Sequence, residues 1–177
     1  MLRWVVVPAL VLPVSWLLFQ GLGRDPRALP SPLIGRAAPT FELASIDGRT
    51  VDWVALRGRV VIVNFWASWC FECIAEHGVL LEAQERYGAD LVIIGVLYQD
   101  SVDDALGFLA RYGDGGWPNL VDADGGLAID YGVTGVPESF FIDAAGIVRY
   151  KQYGAVTRAV LDAQLSALLA HVGVPAN

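Results

Sequence analysis

The apolar positions of this chain fall into blocks of different period. Trp4 to Leu22 (WVVVPALVLPVSWLLFQGL) is an uncharged run of 19 residues, close to the roughly 20 that cross a bilayer as a helix. Pro8 and Pro13 interrupt it, which membrane helices tolerate better than soluble ones. Gly23 to Pro39 is rich in Pro, Gly and Arg and reads as an extended tether. Phe41 to Trp53 alternates apolar and polar residues around Asp47-Gly48, a pair suited to the positive-φ positions of a tight turn, and predicts a hairpin. Val60 to Phe65 and Leu91 to Leu97 are continuous apolar runs, as expected for buried central strands. Between them Phe71 to Tyr87 takes a helical period, with Ile74, Leu81 and Tyr87 among its apolar positions. Ser101 opens a helix with Asp103 and Asp104 in its first turn, where negative charge is favourable. Asp122-Ala-Asp-Gly-Gly leads into a short helix ending near Gly132. Ser139 to Asp143 and Ile147 to Tyr153 read as strands joined across Ala144-Ala-Gly146, and Thr157 caps a last helix ending near Val172. The pattern predicts an α/β fold with helices flanking a mixed central sheet. The organisation expected is an anchor at residues 1–22, a tether at 23–39 and one domain at 40–177.

Charge narrows the functions open to this chain. Its net charge is −7. The first 35 residues hold three Arg and one Asp, so residues 36–177 carry 9 basic against 18 acidic side chains. Such an acidic domain is a poor nucleic-acid binder, and neither a Walker-type loop nor a dinucleotide glycine pattern is present. Phe19-Gln-Gly-Leu-Gly-Arg-Asp-Pro26 offers no small-residue cleavage site, so the apolar run is expected to remain as a signal anchor. Arg3 precedes the run while Arg24 and Arg27 follow it, so the positive-inside bias leaves its orientation open. With His77 and His171 the only histidines, a Ser-His-Asp or Cys-His triad is implausible. Asp122-Ala-Asp-Gly is better read as a turn and helix cap than a calcium loop, because the twelfth position is Val133.

Both cysteines of the chain stand in Trp66-Ala-Ser-Trp-Cys-Phe-Glu-Cys-Ile-Ala-Glu-His-Gly78. A separation of three where a strand meets a helix puts the sulfurs of Cys70 and Cys73 on one face, within disulfide reach. The unpaired amides of a helix start stabilise a thiolate, so the Cys70 pKa should fall below that of a free thiol. Cys73, deeper in the helix, suits a resolving thiol for thiol–disulfide exchange. Two other readings stay open: a static disulfide, which would close too small a loop to constrain the unfolded chain much, and a Cu(I) or Zn site using Cys70, Cys73 and His77. A closed metal site would lack a further ligand. His77 by itself is expected to be an exposed helix residue.

Val60-Val-Ile-Val-Asn-Phe-Trp-Ala-Ser-Trp-Cys-Phe-Glu-Cys73 resembles the active-site strand, turn and helix of thioredoxin-fold proteins. Tyr131-Gly-Val-Thr-Gly-Val-Pro-Glu-Ser-Phe-Phe-Ile-Asp143 resembles the cis-proline segment of that fold. Together with Gly23-Arg-Asp-Pro-Arg27, Glu76-His77 and Gly135-Val-Pro-Glu138, these segments are similar, in order and over nearly the whole chain, to the membrane-anchored thiol reductases of cytochrome c maturation (DsbE/CcmG type, within the TlpA-like group). The resemblance implies a thioredoxin-like fold with an N-terminal β-hairpin extension, an inner-membrane anchor and a catalytic domain facing the periplasm or its equivalent. It implies reduction of the Cys-x-x-Cys-His disulfide of apocytochrome c for haem attachment, re-reduction by a membrane thiol transporter, and no cofactor. A broader extracytoplasmic reductase, serving for instance the copper-site cysteines of an oxidase, and a copper-binding chaperone are the alternatives. On this match Cys70 attacks and Cys73 resolves, forming a redox-active disulfide. Pro137 is cis and brings the Val136 backbone beside the sulfurs to pair with an extended substrate. Glu76 and Glu138 are the acidic residues flanking the site, fit to tune thiol pKa values or take a proton. Trp66 belongs to the core, and Trp69 offers a partly exposed shelf for substrate.

Three positions depart from common patterns. Asn64 replaces the buried Asp of many thioredoxins and cannot accept a proton, which shifts that task towards Glu76 or Glu138. Gly78 stands where many such helices carry a kinking proline. Glu72 occupies the position before the second cysteine, where the family often has proline. A carboxylate there repels a Cys70 thiolate and is expected to make the couple more reducing.

Overall fold

The computed structural model describes residues 31–170 and, in the N-terminal segment, residues 11–16 and 19. Residues 11–16 and 19 are helical. Among the described residues no helix is long and apolar enough to cross a membrane. Much of the 1–22 anchor, the 23–30 part of the tether, His171 and the expected helix end at Val172 lie outside the described residues.

The described residues from Ser31 to Ala170 form one compact unit. Its strands are β1 (Glu42–Ala44), β2 (Thr50–Asp52), β3 (Val60–Trp66), β4 (Leu91–Leu97), β5 (Asn119–Val121), β6 (Glu138–Ile142) and β7 (Val148–Tyr153). Its helices are α1 (Phe71–Tyr87), α2 (Val102–Tyr112), α3 (Gly126–Asp130) and α4 (Arg158–Ala170). β1 and β2 pair antiparallel across the Asp47-Gly48 turn, with Gly48 at φ 82°. The other five strands form one mixed sheet in the order β5-β4-β3-β6-β7. β3 runs parallel to β4 and antiparallel to β6, and is buried at all seven positions, which is why its sequence shows no alternation. The segment 31–39, assigned above to the tether, is part of this unit: Leu33 packs into the core, and the Gly35 and Ala38 amides donate to the carbonyls of Val148 and Gly146 at 2.8 and 2.9 Å.

Strand alternation sends the residues of β3 to two cores. Val61, Val63 and Phe65 pack with Phe41, Trp53, Tyr131 and Phe140 on the face covered by the hairpin and α3. Val60 and Ile62 pack with Leu80 and Ala83 of α1 and Leu161 and Leu165 of α4 on the other. Each such fully buried apolar side chain stabilises the fold by about 1.5–3 kcal/mol. A third cluster, with Trp66, Cys70, Cys73, Leu97 and Phe108, lies at the carboxyl ends of β3 and β4 under α2. The cysteine pair is therefore built into a packed end of the sheet.

Most predicted caps are in place. The Ser101 hydroxyl accepts from the Asp104 amide at 3.1 Å, and that of Thr157 from the Val160 amide at 3.3 Å. The Asp122 carboxylate accepts from the Leu127 and Ala128 amides at 3.1 and 2.8 Å, fixing the start of α3. α1 runs through Gly78 without interruption.

Candidate active site

The turn between β3 and α1 is braced from the neighbouring connection. Ser68 donates its amide and hydroxyl to the Asp100 carboxylate at 2.5 and 3.2 Å, and the Trp69 indole N–H donates to the Gln99 carbonyl at 3.2 Å. Trp69 is left 60% exposed beside the cysteines, whereas Trp66 is buried and donates its N–H to Asn119 Oδ1 at 3.0 Å. Cys70 is the N-cap of α1, and its sulfur accepts the Cys73 amide at 3.1 Å. That amide is one of the donors a helix start leaves unpaired, aimed at the sulfur that would carry negative charge on reduction. Cys70 and Cys73 form a disulfide with Cα atoms 5.3 Å apart, and both are buried, Cys73 the more deeply.

Three features converge on this pair. The Val136–Pro137 peptide is cis, and Val136 packs against the cluster that holds both cysteines. β6 begins its pairing at Glu138, opposite Phe65 and Tyr153, so Val136 lies beyond the last paired position of the sheet. Second, Glu76 lies one helical turn after Cys73 and is 1% exposed. Burial pushes its carboxyl up to about 7, against the lowering effect of hydrogen bonds from the Val156 amide and Asn64, and the negative charge of Glu72 adds to the rise. A solvated surface role for Glu76 is thereby ruled out. Third, Asn64 Nδ2 donates to Glu76 Oε1 at 2.8 Å and to Ser139 Oγ at 2.9 Å, while the Val156 amide holds Glu76 Oε2 at 2.8 Å. The amide that replaces the usual Asp thus orients the acid that remains. Cys73, Glu76 and Asn64 line one internal cavity of about 10 Å³, room for about one water.

One expectation needs correction. His77 is buried: its Nε2 lies 2.7 Å from the Gly113 carbonyl and its ring packs edge-on against Phe108 and Trp117. Desolvation lowers its pKa, with the Gly113 carbonyl opposing, so the ring is a neutral part of the core that ties α1 to the end of α2. Engaged in this way it is poorly placed to join the sulfurs around copper, and among the described residues no cluster of three or more His, Cys, Asp or Glu side chains is arranged to hold a metal. Glu138, the second acidic residue expected beside the site, is held by its neighbours. It is buried and 2.7 Å from Lys151 Nζ, and its Oε1 accepts from the Thr134 amide and hydroxyl at 3.2 and 2.7 Å. Lys151, Asn119 and Asp100 also support the site, though nothing in their local sequence marks them for it.

Residues 34–151 match the family model described as the AhpC/TSA family. The thiol:disulfide interchange protein DsbE of Pseudomonas fluorescens biotype C is 41% identical over 170 residues, covering 94% of each chain. The chain belongs to the DsbE family of thiol:disulfide interchange proteins. DsbE of Allochromatium vinosum is 38% identical over 95% of this chain and 93% of its own. Among solved structures, Mycobacterium tuberculosis DsbF, captured in mixed oxidised and reduced forms, superposes with a TM-score of 0.68 at 27% identity over 72% of this chain and 94% of its own. A secreted M. tuberculosis disulfide oxidoreductase homologous to Escherichia coli DsbE gives 0.66 at 25% identity over 72% and 96%. The DsbE assignment makes this chain a thiol:disulfide oxidoreductase with a thioredoxin-like fold, and the Cys70–Cys73 disulfide at the helix start is the structural feature that fits it.

Proposed function

We propose that this DsbE family member is a membrane-anchored, extracytoplasmic reductase of the Cys-x-x-Cys-His disulfide in apocytochrome c. The observation that carries the reading is the meeting of three things at one end of the sheet: a cysteine pair at a helix start, the unpaired Val136 edge before a cis proline, and a buried protonatable acid behind the second cysteine.

In the reduced protein the Cys70 thiolate attacks one sulfur of the substrate disulfide. A mixed disulfide forms and the expelled substrate thiolate takes up a proton. The Val136 edge aligns the extended substrate by backbone pairing, with Trp69 as an apolar shelf. Glu76 takes the Cys73 proton, and the Cys73 thiolate then attacks the Cys70 sulfur and releases the second substrate thiolate. Two electrons have moved to the substrate, and the Cys70–Cys73 disulfide remains. A membrane thiol donor returns the pair to the dithiol. The acid must be ionised to act, and a carboxyl near pH 7 is poised for that.

Substitution of Cys73 by Ala removes the resolving thiol and should leave Cys70 covalently linked to its substrate. Recovery of apocytochrome c in that mixed disulfide supports the assignment. Recovery of other thiol proteins in its place, such as an oxidase copper-site protein, would replace it with the broader reductase.

A further inference from the structure

We propose that Lys151 is a positioning residue for substrate binding, acting through Glu138 on the loop that carries the cis proline. Its ammonium group is nearly sealed from solvent and has four partners. It lies 2.7 Å from Glu138 Oε2, off the line of a hydrogen bond, so the contact is mainly coulombic. It donates to the Gly132 carbonyl at 2.9 Å. It also stacks over the rings of Phe140 and Tyr153, 4.9 and 4.4 Å from their centroids. A buried lysine is expensive to keep charged, and an ion pair, a carbonyl and two aromatic faces are what makes it tolerable.

The other ends of these contacts define a role. Gly132, held by Lys151, opens the loop. Thr134, held twice by Glu138, is its middle. The Pro137 carbonyl, which accepts from the Gly154 amide at 2.9 Å, closes it. Both side chains that fasten the loop meet in the buried ion pair, and both come from strands, β6 and β7, rather than from the loop. Val136 lies between the second and third ties. The inference rests on the reading that Val136 pairs with a substrate strand: loosening the ties displaces that edge without touching either cysteine, and misplacement of this order is costly to a docked substrate.

The test compares Lys151→Met, Lys151→Arg, Thr134→Ala and Val136→Pro in the full chain. Two substrates are used: an oxidised peptide carrying Cys-x-x-Cys-His, and a small aromatic disulfide that needs no strand edge. Lys151→Met should raise the peptide KM about ten-fold with a smaller change in kcat. It should leave the rate with the small disulfide and the redox equilibrium with glutathione unchanged, and Lys151→Arg should restore most of the peptide KM. Thr134→Ala, which removes the hydroxyl bond to Glu138 and leaves the amide bond and the ion pair, should shift the peptide KM the same way by a smaller factor. It carries the test if Lys151→Met does not fold. Val136→Pro, which removes the edge donor, probes the underlying reading. If it leaves the peptide KM unchanged, the strand-pairing reading fails. If it raises the KM while Lys151→Met and Thr134→Ala do not, the positioning role is overturned. Equal losses on both substrates in Lys151→Met also overturn it, since they mark a purely structural residue.

Discussion

At the scale of single residues, the chemistry turns on two glutamates one helical turn apart. Glu76 is buried with its carboxyl raised to about 7 from 4.5, chiefly by desolvation. A raised acid binds its proton more tightly in the folded state. The stability this contributes is fully present below about pH 4.5 and is lost as pH rises through about 7. Relative to Glu76→Gln, the oxidised protein should lose about 3 kcal/mol between those limits, measured by denaturant unfolding across pH. The same titration has a kinetic counterpart. Resolution of a Cys70 mixed disulfide should speed up as pH rises through about 7, and in Glu76→Gln that inflection should vanish while the rate falls by about 100-fold. Glu72 is exposed, and a methyl group built on Gly154 would lie 3.4 Å from its Oε2, so the carboxylate rests against the turn that holds Pro137. A carboxylate two residues from a thiolate repels it by like charge, which is the basis of the test. Exposed charge pairs are worth about 0.2–1 kcal/mol, so Glu72→Gln should make the couple less reducing by roughly 5–20 mV against glutathione. A potential that stays put or moves lower would remove Glu72 from any role in setting it.

At the scale of elements, two glycines that look alike in sequence behave differently. Gly78 lies mid-helix on the exposed face of α1 with nothing near an added methyl group, so Gly78→Ala should stabilise the protein by about 0.5–1 kcal/mol. Gly95 lies in β4, where an added Cβ would meet Asn119 Oδ1 at 2.1 Å and Trp66 Nε1 at 2.9 Å. Gly95→Ala should cost about 2–4 kcal/mol in the same unfolding assay, by overpacking and by breaking the Trp66–Asn119 bond in a buried place. The elements themselves were largely legible. Continuous apolar runs marked β3 and β4, Asp47-Gly48 marked the hairpin, and Ser101 and Thr157 marked helix starts. β5 was not, because a three-residue strand is too short to show a period. The inward face of α1 is not legible from apolar period either. Its buried residues are Cys73, Glu76, His77, Leu80 and Ala83, and two of these five are polar. Their partners, Asn64, Val156 and Gly113, lie 12 to 80 residues away. The motif located Cys70, Cys73 and Pro137, but the Glu138–Lys151 pair across neighbouring strands is a product of sheet register that local pattern does not carry.

At the scale of the whole molecule, the proposed anchor and the catalytic unit can be tested apart. Among the described residues, the three core clusters are built from Leu33 onward. Removal of residues 1–30 should give a soluble domain, with the same unfolding midpoint as the full chain and unchanged reduction of a small disulfide. The proposed anchor acts on encounter instead. On the proposed function, tethering to a membrane that holds the electron donor would raise the effective concentration of one partner for the other without any new contact. The full chain should sediment with membranes and resist alkaline carbonate extraction, as an apolar span of this length requires. In cells the truncated form should support cytochrome c maturation poorly at matched abundance and regain it when re-tethered through an unrelated membrane helix. Should the full chain extract as a soluble protein, or the truncated form work as well as the tethered one, anchoring is not part of how this oxidoreductase operates.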